Sequence, residues 1–173
     1  MKSQPKRAVI QSSVVLDYSM GGQVESPNKC FIFLHGYQET GERILNKILP
    51  ILPQGSVGVG PCGIYPIPIK TENGHRIGYS WYFYNPATDQ YFIDMSPSVE
   101  AIEKLIQSLR LENIPKVVCG FSQGGYIAPM VAYRLKNVLG VVGMGCQFIG
   151  DELPKDFNLK VDLIHGEDRK SVV

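Results

Sequence analysis

Residues 116–125 read KVVCGFSQGG, and this stretch decides the fold. Its first six residues are nearly all apolar, which predicts a strand that is covered on both faces, as in a parallel sheet. Residues 123 to about 137 have the pattern of a helix. Between the two elements, residues 120–124 fit Gly-x-Ser-x-Gly, in which a serine occupies a sharp turn at the end of a strand. Ser122 is therefore the candidate nucleophile.

The two glycines around Ser122 follow from the geometry of such a turn. A side chain at residue 120 or 124 is expected to collide with neighbouring backbone, and glycine has no Cβ to collide. The helix that begins directly after the serine aims unpaired N–H groups and the positive end of its dipole at a developing oxyanion. A structural turn without chemistry is the alternative, but the flanking strand and helix favour a nucleophile.

The other elements alternate between strand and helix along the chain. Apolar runs predict extended segments at 8–16, 30–34, 58–60, 138–144 and 161–165, whereas helical spacing predicts helices over 41–52 and from Ser96 to about 109. Ser96 is expected to cap the second of these helices, with Pro97 at its first position. Residues 61–95 are expected to be irregular and rich in aromatic side chains. Such an order predicts an α/β domain with a mostly parallel central sheet and helices on both faces, formed by residues 1–173 as one domain.

Composition and charge limit the possible partners. The 173 residues carry a formal net charge of +1 with scattered basic side chains, which argues against nucleic-acid binding. No run approaches the ~18 apolar residues of a membrane span, and the N-terminus lacks the apolar core of a signal peptide. The four cysteines form no Cys-x-x-Cys pair, which favours buried thiols in a reducing compartment over a disulfide or metal role. We therefore expect a cytoplasmic protein, of unspecified oligomeric state.

A His-Gly pair closes the apolar run at 30–34 and completes the predicted site. In company with the Gly-x-Ser-x-Gly turn, it fits a loop that supplies a second oxyanion donor. The two donors would be the backbone N–H groups of Tyr37 and Gln123. His35 is expected to orient this loop by hydrogen bonding, and a role as general base is the weaker alternative.

Several of these segments together resemble the phospholipase/carboxylesterase family of α/β-hydrolases, which includes acyl-protein thioesterases. The matching segments are FLHG at 33–36, Thr40-Gly41, Trp81-Tyr82, GFSQGG at 120–125 and LIHG at 163–166. The resemblance covers roughly residues 28–173 and implies an α/β-hydrolase fold. It also implies hydrolysis of small-molecule carboxylic esters or acyl thioesters, with no cofactor and no metal ion.

The sequence departs from the family pattern at the catalytic acid. In the family an aspartate follows the second His-Gly as His-Gly-x-x-Asp, and Arg169 occupies that position here. Asp168, one residue earlier, is the candidate acid that the resemblance implies, and Glu167 is the second candidate. A solvated charged loop is the alternative.

The catalytic histidine is the larger departure. In this fold the order along the chain is serine, acid, histidine. His35, His75 and His165 all precede the place where the base is expected, and the sequence ends at Val173. His165 is expected to be packed or hydrogen-bonded beside its glycine, and His75 to lie in a surface loop. We expect a last strand, the histidine loop and a final helix to lie beyond this sequence, which leaves the chain nearly inactive and one sheet edge open to self-association.

The aromatic segment 79–84 is the remaining candidate for substrate contact. Trp81 and Tyr82 are predicted to line a substrate cleft, with core packing as the alternative. Two other functions compete with the esterase: a catalytically inactive binding protein, favoured by the missing histidine, and a dienelactone hydrolase-like enzyme or amidase of the same fold.

Overall fold

The computed structural model describes residues 13–147 and 153–166. The helices are α1 (Gly41–Ile48), α2 (Ser96–Ser108) and α3 (Gln123–Arg134), with a short 3-10 helix at Leu49–Ile51. The strands are β1 (Tyr18–Gly22), β2 (Lys29–Leu34), β3 (Ser56–Pro61), β4 (Tyr65–Thr71), β5 (Gly74–Ser80), β6 (Phe83–Asn85), β7 (Gln90–Ile93), β8 (Lys116–Phe121), β9 (Val138–Met144) and β10 (Val161–Ile164).

Within the described residues, six strands form the central sheet in the order β1-β3-β2-β8-β9-β10. β1 runs antiparallel to β3, and the other neighbouring strands are parallel. The prediction of a mostly parallel sheet is therefore confirmed. Because the strands run the same way, the loops that follow β2, β8, β9 and β10 leave the sheet at one common edge.

The two faces of the sheet bury two separate apolar clusters. Cys30, Ile32 and Leu34 of β2 pack with side chains of α2 and α3. Phe31 and Phe33, which alternate with them, pack on the opposite face against residues of α1. This two-sided burial explains why the strand is a nearly continuous apolar run. The expectation of helices on both faces is confirmed.

Lys116, at the amino end of β8, is fully buried. Its Nζ donates hydrogen bonds to the carbonyl oxygens of Glu112, Ile114 and Lys136, at 2.9, 2.7 and 2.7 Å. Burial lowers the pKa of this ammonium. The three bonds connect the loop before β8 to the loop after α3. They lie at the amino end of β8, whereas Ser122 follows its carboxyl end.

Two sequence expectations about strands are wrong. Residues 13–17 contain no strand and β1 begins at Tyr18; the rest of the segment predicted at 8–16 lies outside the described residues. Residues 61–95 are not irregular, since they form the antiparallel pairs β4–β5 and β6–β7. β4 was not predicted because Pro66 and Pro68 argue against a strand. Proline is tolerated here because each strand of a two-stranded ribbon leaves one edge unpaired.

The helix limits also differ from the expected ones. α1 ends at Ile48 rather than continuing to 52, because Pro50 has no N–H group with which to extend it. α2 begins at Ser96, but Met95 is its N-cap residue and Ser96 is not. The side chain of Asp94 accepts the Ser96 N–H at 2.9 Å. α3 ends at Arg134, and no helix among the described residues is long and apolar enough to cross a membrane.

Candidate active site

Ser122 lies in a sharp turn between β8 and α3. Its φ is 51° and its ψ is −117°, a conformation that costs a non-glycine residue about 1–3 kcal/mol. The Ser122 N–H donates to the Met144 carbonyl at 2.9 Å, and the Ser122 carbonyl accepts from Gly125 N–H at 2.9 Å and Tyr126 N–H at 3.2 Å. Ser122 is partly exposed. The turn therefore holds the serine at the surface, at the carboxyl edge of the sheet.

The glycines on either side of Ser122 meet backbone atoms. A Cβ added at Gly120 would lie 2.2 Å from the Gly124 carbonyl oxygen, and one added at Gly124 would lie 2.2 Å from the Leu34 carbonyl oxygen. Real Cβ atoms do not approach backbone so closely, and backbone cannot move aside as a side chain can. The expected collisions two positions before and after the serine are confirmed.

The loop after β2 lies beside Ser122. Leu34 pairs with Gly120 across the sheet, so the His-Gly pair leaves β2 level with the serine turn. A Cβ added at Gly36 would lie 3.5 Å from the Ser122 Cβ. Within the part of the chain that the structure describes, the Tyr37 N–H has no acceptor. The Gln123 N–H belongs to the first residue of α3 and has no partner within the helix.

His35 is fully buried under this loop. Its Nε2 accepts the Gly63 N–H at 2.9 Å, and its Nδ1 lies 2.7 Å from the Gly36 carbonyl oxygen, to which it donates. Burial lowers the pKa of His35 to about 4, so the imidazole is neutral. Both ring nitrogens are occupied, and His35 orients the loop as expected instead of accepting a proton from Ser122.

Strand β5 holds the same loop from its other side. The Gln38 N–H donates to the Tyr79 carbonyl at 3.0 Å, and the Tyr79 N–H donates to the Glu39 carbonyl at 3.1 Å. Arg76 Nη1 donates to the Gln38 carbonyl at 2.9 Å. Gln38 itself has a positive φ of 67°. These contacts fix the backbone on the C-terminal side of Tyr37, and sequence reasoning missed all of them because their partners lie about 40 residues away.

The side chain of Gln123 forms a second set of contacts with the segment that follows Tyr79. Its Oε1 accepts the Trp81 N–H at 3.1 Å, and its Nε2 donates to the Tyr82 carbonyl at 2.9 Å and to Ser80 Oγ at 3.1 Å. Ser80 Oγ in turn lies 2.6 Å from the Tyr82 carbonyl oxygen. The sequence predicts only the backbone N–H of Gln123 as a donor, and no local signal indicates that its side chain binds residues 80–82.

The two predicted cleft residues lie in or near the core. Trp81 is fully buried and Tyr82 is 8% exposed. The Trp81 indole N–H donates to the His35 carbonyl at 2.8 Å, and its ring centroid lies 4.6 Å from that of His35. In this structure Trp81 therefore supports the loop after β2 from beneath and presents no surface to a cleft.

A cavity of about 210 Å³ lies on the α1 side of the serine turn. It is mostly apolar. The residues that line it are His35, Gly36, Glu39, Ile44, Lys47, Ile48, Phe121 and Met144. Phe121 and Gly36 directly precede Ser122 and Tyr37, so the cavity adjoins both loops of the site.

The remaining predicted residues are spread more widely. His75 is exposed on β5, in a strand rather than in the expected surface loop. His165 directly follows β10 and is exposed, so the expectation of a packed side chain is wrong, and a hydrogen bond beside its glycine stays a prediction. Because β10 is parallel to β9, His165 leaves the sheet at the same edge as Ser122. Asp168 and Glu167 lie outside the described residues.

Comparison with known proteins places this arrangement in a class. The chain is similar to esterase PE8, with a TM-score of 0.61 and 18% identity over 88% of this chain and 75% of that protein. It is also similar to YahD, solved with malic acid, with a TM-score of 0.58 and 11% identity over 88% and 89%. A third structure is acyl-protein thioesterase 2 from Zea mays, with a TM-score of 0.55 and 15% identity over 76% of this chain. This chain spans 62% of the maize protein.

These likenesses and the sheet order define an α/β-hydrolase fold. No curated protein matches the sequence significantly. The model of the phospholipase/carboxylesterase family, however, matches residues 22–172. The chain therefore belongs to the phospholipase/carboxylesterase family, as its sequence resemblance predicted.

Proposed function

We propose that this protein is a serine hydrolase that cleaves carboxylic esters or acyl thioesters through an acyl-enzyme on Ser122. The observation that carries the proposal is the strained turn between β8 and α3, where Ser122 has a φ of 51° and its hydroxyl-bearing side chain is partly exposed. A strained turn between a strand and a helix supports a nucleophile elbow at this position. Family membership supports ester or thioester chemistry.

The proposed reaction begins when a base takes the proton of Ser122 and Oγ attacks the ester carbonyl. The resulting tetrahedral oxyanion accepts hydrogen bonds from the backbone N–H groups of Tyr37 and Gln123. Each such donor contributes about 3 kcal/mol to the stability of the transition state. The alcohol or thiol leaves, and water then releases the acid from the serine. No cofactor or metal ion takes part.

A serine hydrolase also needs an acid and a base beside Ser122. Asp168 is the proposed acid, as the family resemblance implies, and β10 ends at the edge of the sheet where Ser122 lies. For the base, both nitrogens of His35 are occupied, whereas His75 and His165 lie on exposed surface. Loss of one triad member leaves a residual rate about 10³–10⁴ above that in water. We therefore expect very slow ester hydrolysis by this chain.

Labelling with a fluorophosphonate probe tests the assignment of Ser122. Mass spectrometry of the labelled chain should find the phosphonyl group on Ser122, and Ser122→Ala should abolish it. Ser108→Ala is the matched control, because Ser108 lies at the end of α2 and its hydroxyl donates to a carbonyl of its own helix. Labelling that is equal in all three proteins, or that spares Ser122, would contradict the proposal.

The arrangement of the histidines favours a second candidate, a binding protein that retains the cleft without catalysis. Among the described residues, no imidazole with a free nitrogen contacts Ser122. This candidate predicts saturable binding of a non-hydrolysable ester analogue together with no labelling of Ser122. Labelling at Ser122 would exclude it.

The proposed substrate is a small-molecule ester or an acyl thioester, and the proposed location is the cytoplasm. The four cysteines support a reducing compartment, because each is a buried free thiol. A dienelactone or amide substrate is the alternative within the same fold. Turnover of a panel of esters, thioesters, lactones and amides by the protein would separate these classes.

A further inference from the structure

We propose that the segment Tyr79–Tyr82 couples the two oxyanion donors, and that the Gln123 side chain is the positioning residue through which it does so. The inference rests on the proposed function, because it concerns the donors of that reaction. It adds a role for the Gln123 side chain and for the segment it contacts, neither of which donates a hydrogen bond to the oxyanion.

The first half of the coupling joins the segment to the loop of Tyr37. Tyr79 exchanges two backbone hydrogen bonds with this loop, one with Gln38 at 3.0 Å and one with Glu39 at 3.1 Å. The bonds form an isolated antiparallel bridge between Glu39 and Tyr79. A Cβ added at Gly78 would lie 2.3 Å from the Gln38 carbonyl oxygen, so the strand approaches the loop closely. The position of the Tyr37 amide therefore depends on where Tyr79 lies.

The second half joins the same segment to α3. Through its side chain, Gln123 contacts Ser80, Trp81 and Tyr82, at distances of 2.9–3.1 Å. Its own backbone N–H is the other proposed donor. Gln123 thus has two roles. Its backbone N–H is one donor, and its side chain binds the segment that positions the other donor, the Tyr37 N–H.

The segment has firm supports of its own, which make it a rigid connection. The Ser98 hydroxyl donates to the Trp81 carbonyl at 2.6 Å, and the Trp81 indole donates to the His35 carbonyl at 2.8 Å. Ser80 and Trp81 are both fully buried. Because the segment Tyr79–Tyr82 is held rigidly, a displacement of Gln123 also displaces the Tyr37 loop. Oxyanion stabilisation needs both donors at a hydrogen-bond distance from one oxygen atom.

The test replaces Gln123 by leucine, which has a similar size and none of the polar atoms. Reaction with a fluorophosphonate forms a bond between Ser122 Oγ and phosphorus, breaks the phosphorus–fluorine bond, and releases fluoride and a proton to solvent. The phosphoryl oxygen stands in for the oxyanion. We expect Gln123→Leu to lower the maximal labelling rate about 10–100-fold with little change in the probe concentration at half-maximal rate. The ³¹P resonance of the Ser122 adduct should shift as well.

Lys116→Met is the matched control, because it removes three buried hydrogen bonds at the opposite edge of the sheet. It should lower stability without changing the labelling rate or the ³¹P resonance. Ser80→Ala is the second variant, used where Gln123→Leu does not fold, and should lower the labelling rate in the same way. Labelling rates and resonances that match the wild type in both site variants would overturn the inference.

Amide hydrogen exchange separates this inference from the proposed function. Gln123→Leu should speed exchange in peptides that contain Gln38 and Tyr79, whereas Lys116→Met should not. This measurement needs no reaction at Ser122. Absence of labelling in the wild type would refute the proposed function, and unchanged exchange at Gln38 and Tyr79 would refute the coupling.

Discussion

At the scale of single residues, the buried imidazole of His35 links the loop of the site to the pH dependence of stability. In the unfolded chain a histidine binds a proton below about pH 6.5. In the fold, burial lowers the pKa of His35 to about 4. Between these values the unfolded state holds the extra proton, so stability rises with pH across this window and is lost as the pH falls through it.

The expected size of this effect is about 3 kcal/mol between pH 7 and pH 4. Urea unfolding at several pH values would measure it, and His35→Gln should remove this part of the pH dependence. His75→Gln is the matched control for replacing a histidine, because His75 is exposed on β5 and lies outside the loop that His35 supports. Equal profiles for wild type and His35→Gln would show that His35 is not the titrating group.

At the scale of elements, the junction of β8 and α3 depends on close contact between main chains. A methyl group at Gly124 would meet the Leu34 and His35 carbonyl oxygens at 2.2 and 2.6 Å. We expect Gly124→Ala to lower the free energy of unfolding by about 3 kcal/mol, the upper range for overpacking, and to abolish labelling of Ser122.

Chemical denaturation would measure this loss, and Gly166→Ala provides the matched control. A Cβ at Gly166 meets nothing within 4 Å, so this variant should unfold as the wild type does. Wild-type stability of Gly124→Ala would contradict the prediction, because it would show that the main chain of the turn can move away from the added methyl group.

At the same scale, local sequence signals predict only part of the fold. β2, β8, β9 and the turn at Ser122 were predictable because their signals are local: apolar runs, and glycines at fixed offsets from the serine. β4 was missed because its two prolines argue against a strand, and β6 and β7 were missed because runs of three and four residues show little periodicity. The Gln123 side-chain contacts were unpredictable, since their partners lie 41–43 positions away.

At the scale of the whole molecule, the outer edge of β10 has no partner strand among the described residues. Leu163 and Ile164 on this strand are 48% and 56% exposed. An unpaired strand with apolar side chains is a template for pairing with another chain. We expect sedimentation velocity to show association that grows with protein concentration.

Ile164→Lys should reduce this association, because a charge on an edge strand opposes pairing. Ile51→Lys is the matched control: Ile51 is 74% exposed in the 3-10 helix, away from that edge. A wild-type chain that sediments as a monomer at all concentrations would contradict the expectation.

The backbone conformation at Ser122 has a consequence for which residue suits that position. Glycine adopts a positive φ without the penalty of about 1–3 kcal/mol that serine meets there. Even 1 kcal/mol changes the ratio of folded to unfolded molecules about fivefold. Judged by folding alone, glycine suits residue 122 better than serine, as expected if the hydroxyl group has the chemical role proposed for it.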